Sequence, residues 1–183
     1  MRMPWPALLF CFLALPAQAA ELLNVLVEQR GTVYRVELDA RFAAPAGRLR
    51  TLLTDYPHLD RINPSIHTSE VLAGAGPGRD RVRTVAKVCV AIFCKEIEQV
   101  QDLEVAPDGS INATVRPKQS DFRYGFARWR FEEDAAGTRM RFVSEIEPAF
   151  WVPPLIGPWL IQRALRAEAL ESIHNLERLA GKP

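Results

Sequence analysis

The segment at residues 148–158, PAFWVPPLIGP, constrains the fold more than any other part of the chain. It places four prolines and five large apolar side chains between a strand-like pattern and a long helical pattern. Proline lacks the amide donor and fixes φ, so this segment cannot form a central strand. We predict an ordered apolar loop that directs a helix beginning near Trp159. Because loops normally face water, an apolar loop indicates a ligand, a membrane or a partner protein.

The N-terminus has the composition of a secretory signal peptide. Arg2 precedes an apolar run at residues 8–15, and small residues follow at positions 17 and 19. We expect residues 1–19 to be a signal peptide cleaved after Ala19, and residues 20–183 to form one domain in the periplasm or outside the cell. The apolar run is too short to span a bilayer; a retained membrane anchor is the alternative. Cys11 is expected to leave with the signal peptide.

Size and charge exclude several classes of protein. A mature chain of about 164 residues suits one domain with a sizeable core. Removing Arg2 from the 23 basic residues leaves 22, which balance the 22 acidic residues. Nucleic-acid binding requires a dense basic stripe, and recognition of anionic lipids requires a polybasic patch. Neither pattern is present in the sequence, so we predict no nucleic-acid partner.

Cys89 and Cys94 lie in two segments of alternating character, residues 82–90 and 97–105. Pairing these segments as a hairpin with its tip at residues 90–93 places the two cysteines opposite each other. The same register places Lys87 opposite Glu96, a favourable cross-strand pair. In an exported protein this geometry predicts a disulfide, although two free buried thiols are the alternative.

The remaining pattern is rich in strands. Residues 24–42 indicate one long bent strand or a hairpin around Gly31, and two short helical patterns follow, one from Pro45 and one at residues 58–62. Six further strands are predicted at residues 66–73, 79–90, 93–105, 110–115, 122–132 and 138–147. Apolar residues spaced by three or four predict a final helix at residues 159–180.

Short turns between these strands make an antiparallel meander the expected topology, and every second turn of a meander lies at the same end of the sheet. The hairpin tip at 90–93, the turn at 117–121 and the loop at 148–158 therefore share one end. The glycine-rich turns at 74–78, 107–109 and 134–137 share the other. A curved sheet around the last helix would leave a cavity that opens at the apolar end.

This order of elements resembles a known superfamily, and short motifs support the likeness. They are FAAP at 42–45, LLTDYP at 52–57, NP at 63–64, WRF at 129–131, GTR at 137–139 and EP at 147–148. The chain resembles the START or helix-grip (SRPBCC) superfamily, and within it the polyketide cyclase/dehydrase and lipid-transport group with its coenzyme Q-binding members. The resemblance implies an α+β helix-grip fold. In that fold a curved seven-stranded antiparallel sheet wraps around a long C-terminal helix, with two short helices after the first strand.

The cavity that this fold implies has a set of candidate ligand-binding residues. They are Ile97, Gln99, Gln101, Tyr124, Trp129, Phe142, Ile146, Phe150, Trp151, Ile156 and Leu165. Gln99, Gln101 and Tyr124 share strand parity with apolar neighbours. Either they bind a ligand headgroup, or they are edge residues or satisfied by internal water. The apolar loop residues could also simply plug the end of the sheet.

Catalytic and metal-binding patterns are weak in this sequence. His58, His67 and His174 lack metal-ligand spacing, so we predict no metal, and no cofactor is predicted. Asp121, Tyr124 and Arg128 are candidates for an acid/base set in an aldol-type cyclisation or dehydration; surface ion pairs are the alternative. Residues 122–131 alternate poorly, which indicates a β-bulge and weakens predictions of which face each side chain occupies.

These observations favour an exported, non-enzymatic carrier or sensor for a hydrophobic small molecule, such as a lipid, an isoprenoid or a quinone-like compound. A cyclase or dehydratase acting on a hydrophobic substrate is the first alternative. The second is an interaction module whose apolar end binds a membrane protein. Transient membrane contact is expected through Val90, Ile92, Phe93, Trp151 and Leu155.

Processing can be tested directly. Protein expressed from the complete sequence in a bacterial host should have Ala20 at its N-terminus, because signal peptidase selects small residues at the two positions that 17 and 19 occupy. Intact-mass measurement of the exported protein checks this. An Ala19→Arg variant should remain uncleaved. An intact mass that still includes residues 1–19 in the unmodified protein would contradict the prediction.

Overall fold

The computed structural model describes residues 20–90, 93–151 and 158–181. The predicted signal peptide and the predictions for Ile92, Leu155 and Ile156 lie outside these residues, as do the side chains of Val90 and Phe93. The strands are β1 (Glu21–Arg30), β2 (Val33–Phe42), β3 (Ile66–Leu72), β4 (Asp80–Val90), β5 (Phe93–Val105), β6 (Ile111–Val115), β7 (Phe122–Asp134) and β8 (Gly137–Pro148). The α-helices are α1 (Ala46–Leu53) and α2 (Pro158–Ala180), with short 3-10 helices at Tyr56–Arg61 and Pro117–Gln119.

The sheet is antiparallel throughout, with the strand order β1-β2-β8-β7-β6-β5-β4-β3. It contains eight strands and not the predicted seven. Residues 24–42 form most of a two-stranded hairpin, because Gly31 adopts a φ of +63° that few other residues tolerate and reverses the chain. The rest of the predicted helix-grip architecture is confirmed: two short helices follow the first hairpin, and one long helix ends the chain.

Alternation along β2 sorts side chains between the two faces of the sheet. Even-numbered positions from Tyr34 to Phe42 are buried on the inner, concave face, while the residues between them are charged and less buried. The charged residues pair across neighbouring strands: Arg35 with Glu145, and Asp39 with Arg139. On β5, Asp102 accepts two hydrogen bonds from Arg81, at 2.7 and 3.2 Å, and one from Arg116 at 2.7 Å. The outer face is thus a network of arginine–carboxylate pairs.

Helix α2 packs against the sheet mainly through its C-terminal half. Ile173 and Leu176 are buried in a core cluster with Leu49 of α1 and Val25 and Leu38 of the first hairpin. Earlier residues of the same helical stripe, including Ile161 and Leu165, are only partly buried. The helix therefore closes one end of the concave face and leaves space beneath its N-terminal half.

The predicted grouping of turns at the two ends of the sheet is confirmed by contacts. At the apolar end, Lys95 of β5 lies 3.9 Å from Asp121 and 4.8 Å from the ring centroid of Phe150. The opposite end carries α1, whose Arg50 stacks 5.7 Å from the ring of Phe131 and lies beside Gly109. The loop that leads to α2 thus begins at the end of the sheet where the Cys89–Cys94 pair lies.

Asp102 allows a test of the outer ion-pair network. The hydrogen bonds from Arg81 hold the pKa of this carboxylate below its ordinary value. Its contribution to stability is therefore present above the unfolded-state pKa of about 3.9 and is lost as pH falls through the lower folded-state pKa. We expect Asp102→Asn to reduce the free energy of unfolding by about 1 to 2 kcal/mol at neutral pH. The deficit should shrink in acid, as measured by urea unfolding over a pH series.

Glu104→Gln is the matched control for this measurement. Glu104 lies on the same strand in a more exposed pair with Arg79, and exposed pairs contribute little. Equal losses for the two variants, or a deficit for Asp102→Asn that grows in acid, would contradict the prediction.

Candidate ligand-binding cavity

A two-lobed cavity lies between the concave face of the sheet and α2. The mouth lobe, of about 430 Å³, lies at the apolar end. The inner lobe, of about 360 Å³, extends toward the core cluster. The lobes adjoin each other, because they share eight wall residues: Asn63, Ile66, Thr84, Gln99, Phe122, Ile146, Leu165 and Glu168. A volume of this order suits a small molecule with more than one apolar segment.

The mouth lobe is built where strands β4, β5 and β8 meet the loop before α2. Its walls beyond the shared residues are Tyr34, Ala86, Val88, Cys94, Lys95, Ile97, Pro148, Phe150, Trp151 and Ile161. Trp151 is 75% exposed and stands at the rim. Burial raises the pKa of Tyr34, so its phenol remains a neutral hydrogen-bonding group in the wall. The opening is therefore largely apolar, and Lys95 at its edge is the one cation among the described wall residues of this lobe.

The inner lobe is also lined mainly by hydrophobic side chains. Trp129 of β7 and Phe142 of β8 face each other in the strand register, with ring centroids 4.9 Å apart. Further walls are Val36, Leu38, Leu53, Leu59, Ile62, Gln101, Leu103, Ala127, Met140, Ser144, Ala169, Ser172, Ile173 and Leu176. Most of these side chains are aliphatic or aromatic, so this lobe suits the apolar portion of a ligand.

Four polar residues, Asn63, Thr84, Gln99 and Glu168, border both lobes, and we call them the polar waist. Asn63 Nδ2 donates to Glu168 Oε1 at 3.2 Å, while its Oδ1 accepts from the Ser65 amide at 3.0 Å. Gln99 Nε2 donates to Oε1 of the neighbouring Gln101 at 3.3 Å. The waist therefore offers hydrogen-bonding groups midway along an apolar space.

Most of the predicted ligand-binding residues line this cavity. Those in the mouth lobe are Ile97, Gln99, Ile146, Phe150, Trp151 and Leu165, and those confined to the inner lobe are Gln101, Trp129 and Phe142. Ile156 lies outside the described residues. Asn63 and Glu168 also line the cavity but were not predicted from the sequence, because no periodic pattern shows which polar residues of a loop or a helix face inward. Thr84 and Ala86 share strand parity with the buried Val82 and could have been found from it.

Tyr124 does not line the cavity, and its predicted orientation is wrong. A β-bulge between Phe122 and Tyr124 reverses the alternation of side chains along β7. The even-numbered Phe122 faces the cavity before the bulge, and the odd-numbered Ala127 and Trp129 face it after the bulge. Tyr124 is 44% exposed, and its hydroxyl lies 3.5 Å from Glu145 on the outer face. The poor alternation of residues 122–131 indicated such a bulge, but not its position.

The residues considered for acid/base catalysis do not assemble in the cavity. Asp121 Oδ2 accepts a hydrogen bond at 3.0 Å from the Glu98 amide and helps to join the turn to β5. Arg128 donates to Asn112 Oδ1 at 2.6 Å across the β6–β7 pair, on the same face as Tyr124. None of the three is among the described residues that line either lobe. Each has a structural partner elsewhere.

The predicted disulfide is confirmed: Cys89 and Cys94 are bonded, and they face each other in the β4–β5 register. Lys87 and Glu96 are also register partners, as predicted. Glu96 lies 3.4 Å from His67 Nε2 on β3. Cys94 is a wall residue of the mouth lobe, so the disulfide fixes the spacing of the two strands that form this side of the opening.

Two kinds of feature are absent from the described residues. No cluster of three or more His, Cys, Asp or Glu residues suited to a metal ion occurs in the part of the chain that the structure covers. Among the helices within those ranges, none has the length and hydropathy needed to cross a bilayer.

Residues 34–181 match the family model described as polyketide cyclase / dehydrase and lipid transport. The chain belongs to this family. The match runs from β2 to the end of α2 and so includes every wall of both lobes. A comparison with curated protein sequences finds no match.

Solved structures agree with membership of the polyketide cyclase/dehydrase and lipid-transport family. A Thermus thermophilus protein aligns with a TM-score of 0.65 and 21% identity, covering 80% of this chain and 96% of that chain. The Zhui aromatase/cyclase of a Streptomyces species aligns with a TM-score of 0.65 and 17% identity over 81% and 93% of the two chains. A STAR-related lipid transfer protein of Xanthomonas axonopodis aligns with a TM-score of 0.57 and 14% identity, covering 84% of this chain and 98% of that chain. At these identities the likeness shows the fold alone, and the predicted START-superfamily fold is confirmed.

The disulfide gives a testable stability difference. The bond closes a loop of very few residues, so the chain-entropy model assigns it about 2 kcal/mol. We expect the double variant Cys89→Ser, Cys94→Ser to lose about that amount of unfolding free energy in guanidinium titrations. Adding a thiol reductant should destabilise the original protein similarly and leave the double variant unchanged. A reductant effect on the double variant, or no loss on substitution, would contradict the prediction.

Proposed function

We propose that this protein is an exported, non-enzymatic carrier or sensor that encloses one hydrophobic small molecule between its sheet and α2. One observation carries the proposal: a cavity of two adjoining lobes with largely apolar walls opens beside an exposed tryptophan at one end of the sheet. Burying apolar ligand surface there supplies affinity at roughly 25 cal/mol per Å².

Family membership supports hydrophobic ligand binding but does not choose between carriers and cyclases, because one scaffold hosts both. The positions of Asp121, Tyr124 and Arg128 favour the carrier. A cyclase needs acid and base groups that reach the substrate, and none of these three residues is among the described residues that line either lobe.

Export is part of the same proposal. It rests on the signal-peptide pattern of residues 1–19 and is compatible with the Cys89–Cys94 disulfide, which persists in oxidising compartments. Trp151 at the rim is the described residue best placed for the proposed transient membrane contact, since tryptophan favours the interface between water and lipid. A ligand would pass between a membrane and the mouth lobe through this rim.

Mass spectrometry of organic extracts tests the identity of the cargo. Protein purified gently from the exported fraction should release a hydrophobic compound in a reproducible amount close to one molecule per chain. A photocrosslinker at position 151 should capture lipid. Capture of a single membrane protein instead, with nothing bound in the cavity, would support the interaction-module alternative and contradict the carrier.

Filling the cavity tests whether it is the binding site. Ala86 is a wall of the mouth lobe, so Ala86→Phe should occupy ligand space and weaken binding of the neutral fluorophore N-phenylnaphthylamine by roughly tenfold or more. Lys87→Phe is the matched control, because Lys87 is the adjacent residue and is exposed on the opposite face of β4. Fluorescence titration measures both. Equal affinities in the two variants would place the dye elsewhere and contradict the proposal.

A further inference from the structure

The cavity contains one acidic side chain, among the described residues, at a position where a ligand's polar group would come to rest. Glu168 lies on α2 one helical turn from Leu165, and both are walls of both lobes. Its nearest cavity-lining neighbours on the helix are the apolar residues Leu165 and Ala169. A carboxylate facing apolar space is costly unless it is hydrogen-bonded, so its partners indicate what the site is built to receive.

Within the described part of the chain, the hydrogen-bond partner of Glu168 is the neutral amide of Asn63. A second hydrogen bond orients the Asn63 side chain. Its Oδ1 accepts from the Ser65 backbone amide, and this directs its Nδ2 toward Glu168 Oε1, 3.2 Å away. This hydrogen bond uses part of the acceptor capacity of one carboxylate oxygen, Oε1. A carboxylate accepts at about four lone-pair positions and donates none, so Glu168 retains acceptor capacity toward the cavity.

We infer that Glu168 selects a ligand whose polar end donates a hydrogen bond, such as a long-chain or isoprenoid alcohol or an amine, and disfavours ligands that end in a carboxylate or phosphate. This inference rests on the proposed function, since it assigns the chemical class of the molecule that the cavity carries. The hydroxyl or ammonium group lies at the polar waist beside Glu168, and the hydrocarbon portion fills the inner lobe.

Electrostatics favours this assignment over an anionic headgroup. Two like charges side by side repel, so a carboxylate or phosphate beside Glu168 is disfavoured. A hydroxyl instead donates to the carboxylate and can accept from the Gln99 side-chain amide, which also borders both lobes. The polar waist thus suits a ligand group, such as a hydroxyl, that both donates and accepts hydrogen bonds.

Lys95 is the competing site for an anion, and its position differs. It lies at the mouth, where its ammonium group is 3.9 Å from Asp121 and 4.8 Å from the ring centroid of Phe150. If the anionic group of a ligand bound at Lys95, the hydrocarbon chain of that ligand would extend through the polar waist, and no polar group of the ligand would lie beside Glu168. The two arrangements predict opposite preferences among ligands of the same chain length.

Matched amphiphiles separate these preferences. Displacement of N-phenylnaphthylamine is measured for tetradecanol, tetradecylamine and tetradecanoate against the unmodified mature protein. Tetradecanol and tetradecylamine should bind at least roughly tenfold more tightly than tetradecanoate, the scale of one hydrogen bond to a charged group. Glu168→Gln should reduce this preference to within about threefold, by weakening the first two and admitting the third.

Glu171→Gln is the matched control, because Glu171 lies on the same helix and is exposed to solvent. It should leave all three affinities unchanged. Glu168→Met is a second variant that keeps an unbranched side chain without a charge, and it should lose the preference as well. Retained affinity for the dye shows that each variant is folded with an open cavity.

Three outcomes overturn the inference. Tetradecanoate could bind as tightly as tetradecanol and lose affinity on Lys95→Gln, which places the polar end at the mouth. The preference could survive both Glu168 substitutions, which assigns it to other groups. If the unmodified protein binds neither the dye nor any amphiphile, the proposed function fails too; in the first two outcomes the proposed function stands.

Discussion

The packing of the C-terminal half of α2 against the first hairpin and α1 is the constraint on which the rest of the structure depends. Ile173 and Leu176 bury themselves against Leu49 and Leu38, which closes the polar end of the concave face with a solid core. The sheet curves, so a straight helix fixed at one end stands away from it at the other. The cavity is the consequence: it lies where Leu165 and Glu168 face the sheet without reaching it.

The two faces of the sheet differ in chemistry: the outer face is charged and the inner face is mainly hydrophobic. Arginine–carboxylate pairs such as Arg81 with Asp102 cover the outer face, where the strand register holds them together. This arrangement accounts for a chain that is rich in charge and nearly neutral overall. Because the charges are used outside, the inner face is free to present hydrophobic walls. The β-bulge in β7 places Tyr124 and Arg128 on this outer face as well.

The polar waist gives the cavity a direction. An apolar chamber without polar groups binds any hydrocarbon of suitable size, whereas a few buried donors and acceptors fix the orientation of a ligand and discriminate strongly against the wrong headgroup. Asn63, Gln99 and Glu168 supply these groups from a loop, a strand and a helix, so the waist exists only in the folded protein. In the proposed carrier, its position between the lobes, and not at the mouth, would separate the recognition of the head from the proposed entry route beside Trp151.

The sequence alone predicted the last six strands, the antiparallel order and the cysteine pairing, and it placed Gln99 and Gln101 at the same strand parity as apolar neighbours, because strand alternation has a period of two and short turns leave few topologies. It left two choices for residues 24–42, and the positive φ at Gly31 decided for a hairpin. Only the tertiary structure decided the facing of Tyr124, since one inserted residue at a bulge reverses every later side chain. It also decided the role of Glu168: a helix has polar residues on several sides, and the elements packed against it determine which of them turns toward the cavity.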